Sequence, residues 1–175
     1  ESAVKIEILR IVSLSDVLNI KIQTKKLTKY IQDNIGFKSD RERIYTLLEK
    51  EYFIKFDNKY IEGLHPVRSE HLLKILHNFI QIEETATNLL KIIDDKYIYE
   101  YFILISKYID NDVNDFFEKT SQIISQKSFS TIVDAVDGLM HFEAYNYWLE
   151  NKEIFDEVYK NGFVNLFIMD TLPFF

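Results

Sequence analysis

The residue types and spacing in this chain that best suit chemistry lie in the stretch Gly63-Leu64-His65-Pro66-Val67-Arg68-Ser69. Proline fits the first turn of a helix, because the N–H it lacks is one the first turn leaves unpaired in any case. A helix that opens at Pro66 puts His65 at its N-cap. Free backbone N–H groups and the positive end of the helix dipole attract anions there, so a histidine at that point is suited to meet a phosphate. The same position also suits a linker residue packed between two domains.

Other constellations are weaker. His65, His71 and His77 are spaced by six, a rotation of roughly 240° at each step along a helix, so they point apart and do not read as a zinc site. Asp110, Asp112 and Asn114 resemble the opening of a calcium loop, but Asp115 stands where such a loop requires glycine, and they read as a solvated turn. The four glycines are Gly36, Gly63, Gly138 and Gly162, and none belongs to a Gly-rich loop ending in Lys-Ser/Thr. The sequence therefore reads as a non-enzymatic segment without a catalytic constellation of its own. The absence of cysteine excludes disulfides and thiolate metal sites, and fits a reducing compartment.

The elements that must position His65 come in two patterns. Before it, apolar spacing predicts a helix from about Ser2 to Ser13, a short strand over Ile20-Lys21-Ile22-Gln23, and a helix N-capped by Thr24 that carries Leu27, Tyr30 and Ile31 and ends at Gly36. A third helix opens with the capping box Ser39-Asp40-Arg41-Glu42. A hairpin follows, from Tyr52 to Phe56 and from Tyr60 to Gly63 around Asp57-Asn58-Lys59. Helix, strand, helix, helix, hairpin is the order of a winged helix, assigned to residues 1–64. Residues 65–175 read as helical throughout, with breaks at Asp94-Asp95 and Asp110-Asn111-Asp112 and a last helix from Asn151 to Gly162. The fold class is thus mainly α: a winged helix followed by an α-helical hairpin array or the start of an α-solenoid.

Charge is uneven. Residues 1–77 hold 14 Lys and Arg against 11 Asp and Glu, while the remaining residues hold 7 against 17, for an overall net charge of −7. The acidic second half repels nucleic acid and membrane surfaces. Any DNA contact would fall to the winged helix, through Arg41, Arg43 and Lys50 on its third helix and Lys55 and Lys59 on the wing. Glu42, Glu49, Glu51 and Asp57 lie among these cations. No run is apolar enough to span a bilayer and no signal-peptide pattern is present, so the expected location is cytoplasmic. The start at Glu1 and the apolar end Leu172-Pro173-Phe174-Phe175 read as cuts through a longer protein.

The segment Tyr60-Ile61-Glu62-Gly63-Leu64-His65-Pro66-Val67-Arg68-Ser69, directly after a winged-helix pattern, resembles the region that follows the nucleotide-binding module in bacterial STAND-type NTPases. Ala135-Val136-Asp137-Gly138-Leu139-Met140-His141-Phe142 is similar to the helical region further on in such proteins, including antiviral ones. The resemblance implies a P-loop ATPase module before Glu1, a helical sensor of a protein trigger after Phe175, and ATP or ADP as the ligand of the larger protein. It also implies that His65 contacts the nucleotide phosphate, with Arg68 as helper. The family's better-known form is a Met-His-Asp triplet, where this chain has Leu64-His65-Pro66. A DNA-binding transcription regulator with a helical dimerisation or ligand domain is the other reading.

Overall fold

The computed structural model describes residues 2–35, 41–77, 82–109 and 113–139, with the side chains of Arg41, Val113 and Asn114 left aside. The described chain is mainly helical, with one small antiparallel sheet. It divides into two compact units, Glu1–Tyr97 and Ile98–Phe175. The boundary expected at 64/65 falls inside the first unit, because the two helices after Gly63 belong with the winged helix.

The first unit is organised on α1 (Ser2–Val17). Val4, Ile8, Leu9, Ile11, Val12 and Leu14 are all buried, so the helix is apolar on more than one face. Such a helix needs partners on several sides, and here they are α2 (Thr24–Ile35), strand β3 (Tyr60–Gly63), α4 (Pro66–Leu76) and α5 (Ile82–Ile92). Polar residues fasten the same helices. Tyr30 of α2 donates to Glu7 Oε1 at 3.2 Å, Asn88 of α5 donates to the same oxygen at 3.4 Å, and Arg10 donates through Nε and Nη2 to the Leu76 carbonyl, each at 3.1 Å. The last contact satisfies a carbonyl that the end of α4 leaves without a helical donor.

Helix α1 ends in a Schellman motif. Asn19 adopts φ 53°, the Asn19 N–H donates to the Asp16 carbonyl, and the Ile20 N–H donates to the Ser15 carbonyl. Asparagine is among the few residues that tolerate this left-handed conformation. Strand β1 is then only Ile22–Gln23, shorter than the alternation from Ile20 suggests, because Ile20 is used in the cap.

Helix α3 (Arg41–Lys50) ends the same way, with Tyr52 at φ 59°. The Tyr52 N–H donates to the Glu49 carbonyl, and the Phe53 N–H to the Leu48 carbonyl. The first arm of the hairpin therefore starts later than the apolar run beginning at Tyr52 suggests: β2 is Ile54–Phe56. The sheet order is β1-β3-β2, with Ile22 opposite Ile61 and Lys55 opposite Glu62. This is the winged-helix arrangement of three helices and a hairpin.

The Thr24 side chain does not cap α2. Its hydroxyl donates to the Asp57 carbonyl at 2.9 Å, and its N–H donates to the Lys59 carbonyl, so it ties the start of α2 to the hairpin turn. The capping box at Ser39 and the helix stop at Gly36 lie outside the described residues.

The break at Asp94-Asp95 is a single 3-10 turn, Asp95–Tyr97, before α6 (Ile98–Ile105). In the second unit α6 packs on α8 (Phe129–Leu139), and α7 (Val113–Ile124) adds Phe116 and Phe117 to the core. The turn at Asp110 to Asp112 and the helix expected over 151–162 lie outside the described residues.

Candidate functional site

The backbone of His65 is extended, with φ −165° and ψ 131°, and Pro66 is the first residue of α4. His65 is the N-cap: the Val67 N–H donates to His65 Nδ1 at 3.2 Å, and the Ser69 N–H donates to the His65 carbonyl at 3.0 Å. A neutral imidazole that accepts at Nδ1 carries its proton on Nε2. The cap therefore fixes the tautomer, and the exposed ring presents Nε2–H as a donor. The next N–H of the turn, that of Arg68, has no intrahelical acceptor, since its i−4 residue, Leu64, precedes the helix. His65 thus occupies the position that Pro66 implied, with one ring nitrogen engaged in the helix and the other directed outward.

Arg68 is exposed, and its guanidinium carbon lies 5.2 Å from the centre of the Phe53 ring. This contact links the first turn of α4 to the residue that closes the α3 cap. Around His65 the surface is partly apolar, with Leu64 and Val67 exposed. Below it the chain is tightly held: Ser69, buried in the same turn, donates through Oγ to Asp16 Oδ2 at 2.7 Å.

The five cations of the DNA-reading arrangement are differently placed. Arg41 opens α3, and its side chain lies outside the described residues. Arg43 and Lys50 are exposed on α3, seven residues apart and so on one face, together with exposed Glu42 and Glu49. Lys55 pairs with Glu62 at 3.0 Å, directly across the hairpin. The ammonium of Lys59 lies over the Tyr60 ring, 4.9 Å from its centre. Lys55 is thus drawn into the sheet's own ion pairing, and the wing presents Lys59.

Among the described residues no cluster of three His, Asp or Glu is arranged to hold a metal ion, and no helix is long and apolar enough to cross a membrane. His71 is exposed on α4, while His77 is the C-cap of that helix and half-buried.

Two features carry no signal in the sequence. One is the Asp16–Ser69 contact, which joins residues far apart in the chain. The other is a group of lysines about Tyr60, drawn from three separate segments. Either would need the topology of the sheet to be known first.

No family model matches the chain, and no curated protein and no solved structure matches it.

Proposed function

We propose that this chain is a regulatory segment of a larger STAND-type ATPase, with His65 as the residue that meets the phosphate of bound ATP or ADP. The winged helix docks on the nucleotide-binding module of the same protein, Arg68 assists at the phosphate, and the helical arm relays sensing of a protein trigger in the cytoplasm. The segment itself performs no catalysis. The observation that carries this reading is the N-cap geometry, in which His65 Nδ1 accepts from the Val67 N–H and so holds Nε2–H outward as a donor at the positive end of an eleven-residue helix. The exposed apolar side chains of Leu64 and Val67 beside it suit a face that meets another module.

The test uses the ATPase that contains this segment. His65→Asn preserves an N-cap acceptor but removes the imidazole donor, whereas His65→Ala removes both. Both variants are expected to lose bound nucleotide faster and to show altered basal activity. Unchanged nucleotide retention and basal activity in both would exclude His65 from the mechanism. An effect of His65→Ala alone would assign the residue to helix capping.

A further inference from the structure

Helix α4 buries only Ser69 and Leu73 of its eleven residues, and the face it turns to solvent is not uniformly polar. Val67 is 68% exposed and Ile75 is 53% exposed, more than any other large aliphatic side chain among the described residues. Residues four apart share one face of a helix, so Val67, His71 and Ile75 form a stripe along α4, and exposed Leu64 extends it before the first turn. Strong helix formers suit exposed positions of this kind, whereas valine and isoleucine lose side-chain freedom in a helix and gain no burial here. The other exposed large apolar residues of the first unit lie in segments that meet the ends of the same helix. Tyr52 precedes Phe53, whose ring meets Arg68, and Ile6 stands one turn before Arg10, which reaches the Leu76 carbonyl.

The stripe is matched to itself. Val67 and Ile75 lie four residues either side of His71. When two copies of α4 lie antiparallel about a two-fold axis at His71, each residue before His71 faces the residue equally far after it on the other copy, and Val67 packs on Ile75 of the second copy. Glu70 and Lys74 share one border of the stripe, about 100° and about 60° round the helix from His71, and a rise of about 3 Å separates Glu70 from Lys74 of the second copy. The two residues already pair at 3.2 Å within one helix, and antiparallel contact adds the pair across the axis. Arg68 lies on the opposite border, where its stem covers Ile75 of the second copy. The antiparallel arrangement also sets the positive end of each helix dipole beside the negative end of the other.

We propose that α4 carries a self-association face, on which a second copy of this chain docks antiparallel through Val67, His71 and Ile75. One eleven-residue helix covers less than the roughly 800 Å² per partner of a standard interface, so the dimer is weak and depends on concentration. The proposal uses the middle of α4 and does not rest on nucleotide contact at His65, so its failure would leave the nucleotide-retention test untouched.

The experiment is sedimentation equilibrium of the whole 175-residue chain from about 10 μM to about 1 mM, with the average mass expected to rise from one chain toward two. Val67→Gln with Ile75→Gln should weaken association about tenfold or more, and Phe129→Gln, which alters an exposed apolar side chain of the second unit, should leave it unchanged. Lys74→Glu sets like charges across the axis and should weaken association, and Glu70→Lys with Lys74→Glu should restore it. The chain has no cysteine, so introduced thiols report the register. His71→Cys should form a disulfide-linked dimer, whereas Val67→Cys and Ile75→Cys should not, since each would stand about 12 Å along the axis from its own copy. A single-chain mass at every concentration would overturn the proposal, as would association that survives the glutamine pair, that is lost in Phe129→Gln, or that the charge swap does not restore. Crosslinking of all three cysteine variants would show parallel helices and would also overturn it. Melting curves verify that each variant is folded.

Discussion

The Ser69 hydroxyl donates to Asp16 Oδ2 at 2.7 Å where the end of α1 meets the start of α4, and Gly63 lies against both residues. A Cβ at position 63 would stand 2.5 Å from Ser69 Oγ and 2.6 Å from Asp16 Oδ2. A side chain at position 63 would have to push the ends of both side chains aside. The contact makes the segment before His65 a pinned joint, so any change of state in α4 must break or carry this hydrogen bond.

Gly63→Ala is expected to separate Ser69 from Asp16 and to lower stability by about 2 kcal/mol, the sum of overpacking and a weakened hydrogen bond. Ser69→Ala leaves the Asp16 carboxylate half-buried without that donor and is expected to cost about 1–2 kcal/mol. Urea denaturation measures both. The two effects should not add in the double variant, because they act on one contact. Additive losses would show that Gly63 acts through some other neighbour.

The winged helix was legible because each of its signals is local. Alternation marked β1, the turn residues Asp57-Asn58-Lys59 marked the hairpin, and Pro66 marked the start of α4 with His65 as its cap. Boundaries shifted where a cap competed with apolar pattern: Ile20 and Tyr52 look like strand residues but lie in Schellman caps. The division at 64/65 followed the change from mixed to helical pattern. Whether α4 packs backward or forward is decided by which surface buries more of it, and α1 supplies that surface. At the site, the N-cap could be read from His65-Pro66, whereas the Asp16–Ser69 contact depends on tertiary approach.

His77 links α4 to α5 and should make the first unit sensitive to acid. Its Nδ1 lies 2.9 Å from the Leu73 carbonyl, which only accepts, so Nδ1 carries the proton and Nε2 accepts from Thr85 Oγ1 at 2.9 Å. Burial pushes its pKa below the ordinary value of 6.5; the Leu73 contact, Glu7 and Glu83 oppose the fall, and Arg10 adds to it. The folded state therefore takes up its proton at lower pH than the unfolded state. Stability is fully present above 6.5, declines as pH falls below that value, and levels off below the folded pKa. Melting temperature measured from about pH 8 to about pH 5 should fall less in His77→Gln than in the wild type, although the variant is less stable at the upper end. Parallel curves for the two proteins would remove His77 from the pH response.

Tyr52 holds a left-handed conformation at φ 59° while its side chain is 70% exposed. A bulky residue bears a cost of about 1–2 kcal/mol in this region, and little burial compensates it. Tyr52→Gly should therefore raise stability by about 1 kcal/mol, after allowing for the freedom glycine gains in the unfolded chain. A rise in the denaturation midpoint at constant slope is the expected outcome. A fall would show that the Tyr52 ring makes a stabilising contact that outweighs its backbone strain.

Gly138 sets two effects of one substitution against each other. It sits in α8, where alanine is favoured over glycine by about 1 kcal/mol on helix propensity. A Cβ there would lie 2.8 Å from Phe102 Cβ and 2.8 Å from the Tyr99 carbonyl oxygen, both on α6. Neither is the far end of a flexible side chain, so α8 must withdraw from α6. Phe102 is fully buried, and separating the helices exposes apolar area around it. Overpacking of this kind costs about 1–3 kcal/mol, which exceeds the propensity gain. Gly138→Ala is therefore expected to destabilise the second unit by about 1 kcal/mol net, seen as faster amide hydrogen exchange in α6 and α8. Exchange in α1 and α4 should not change. Slower exchange in α8 would mean that propensity outweighs packing and that the helices adjust around the added methyl group.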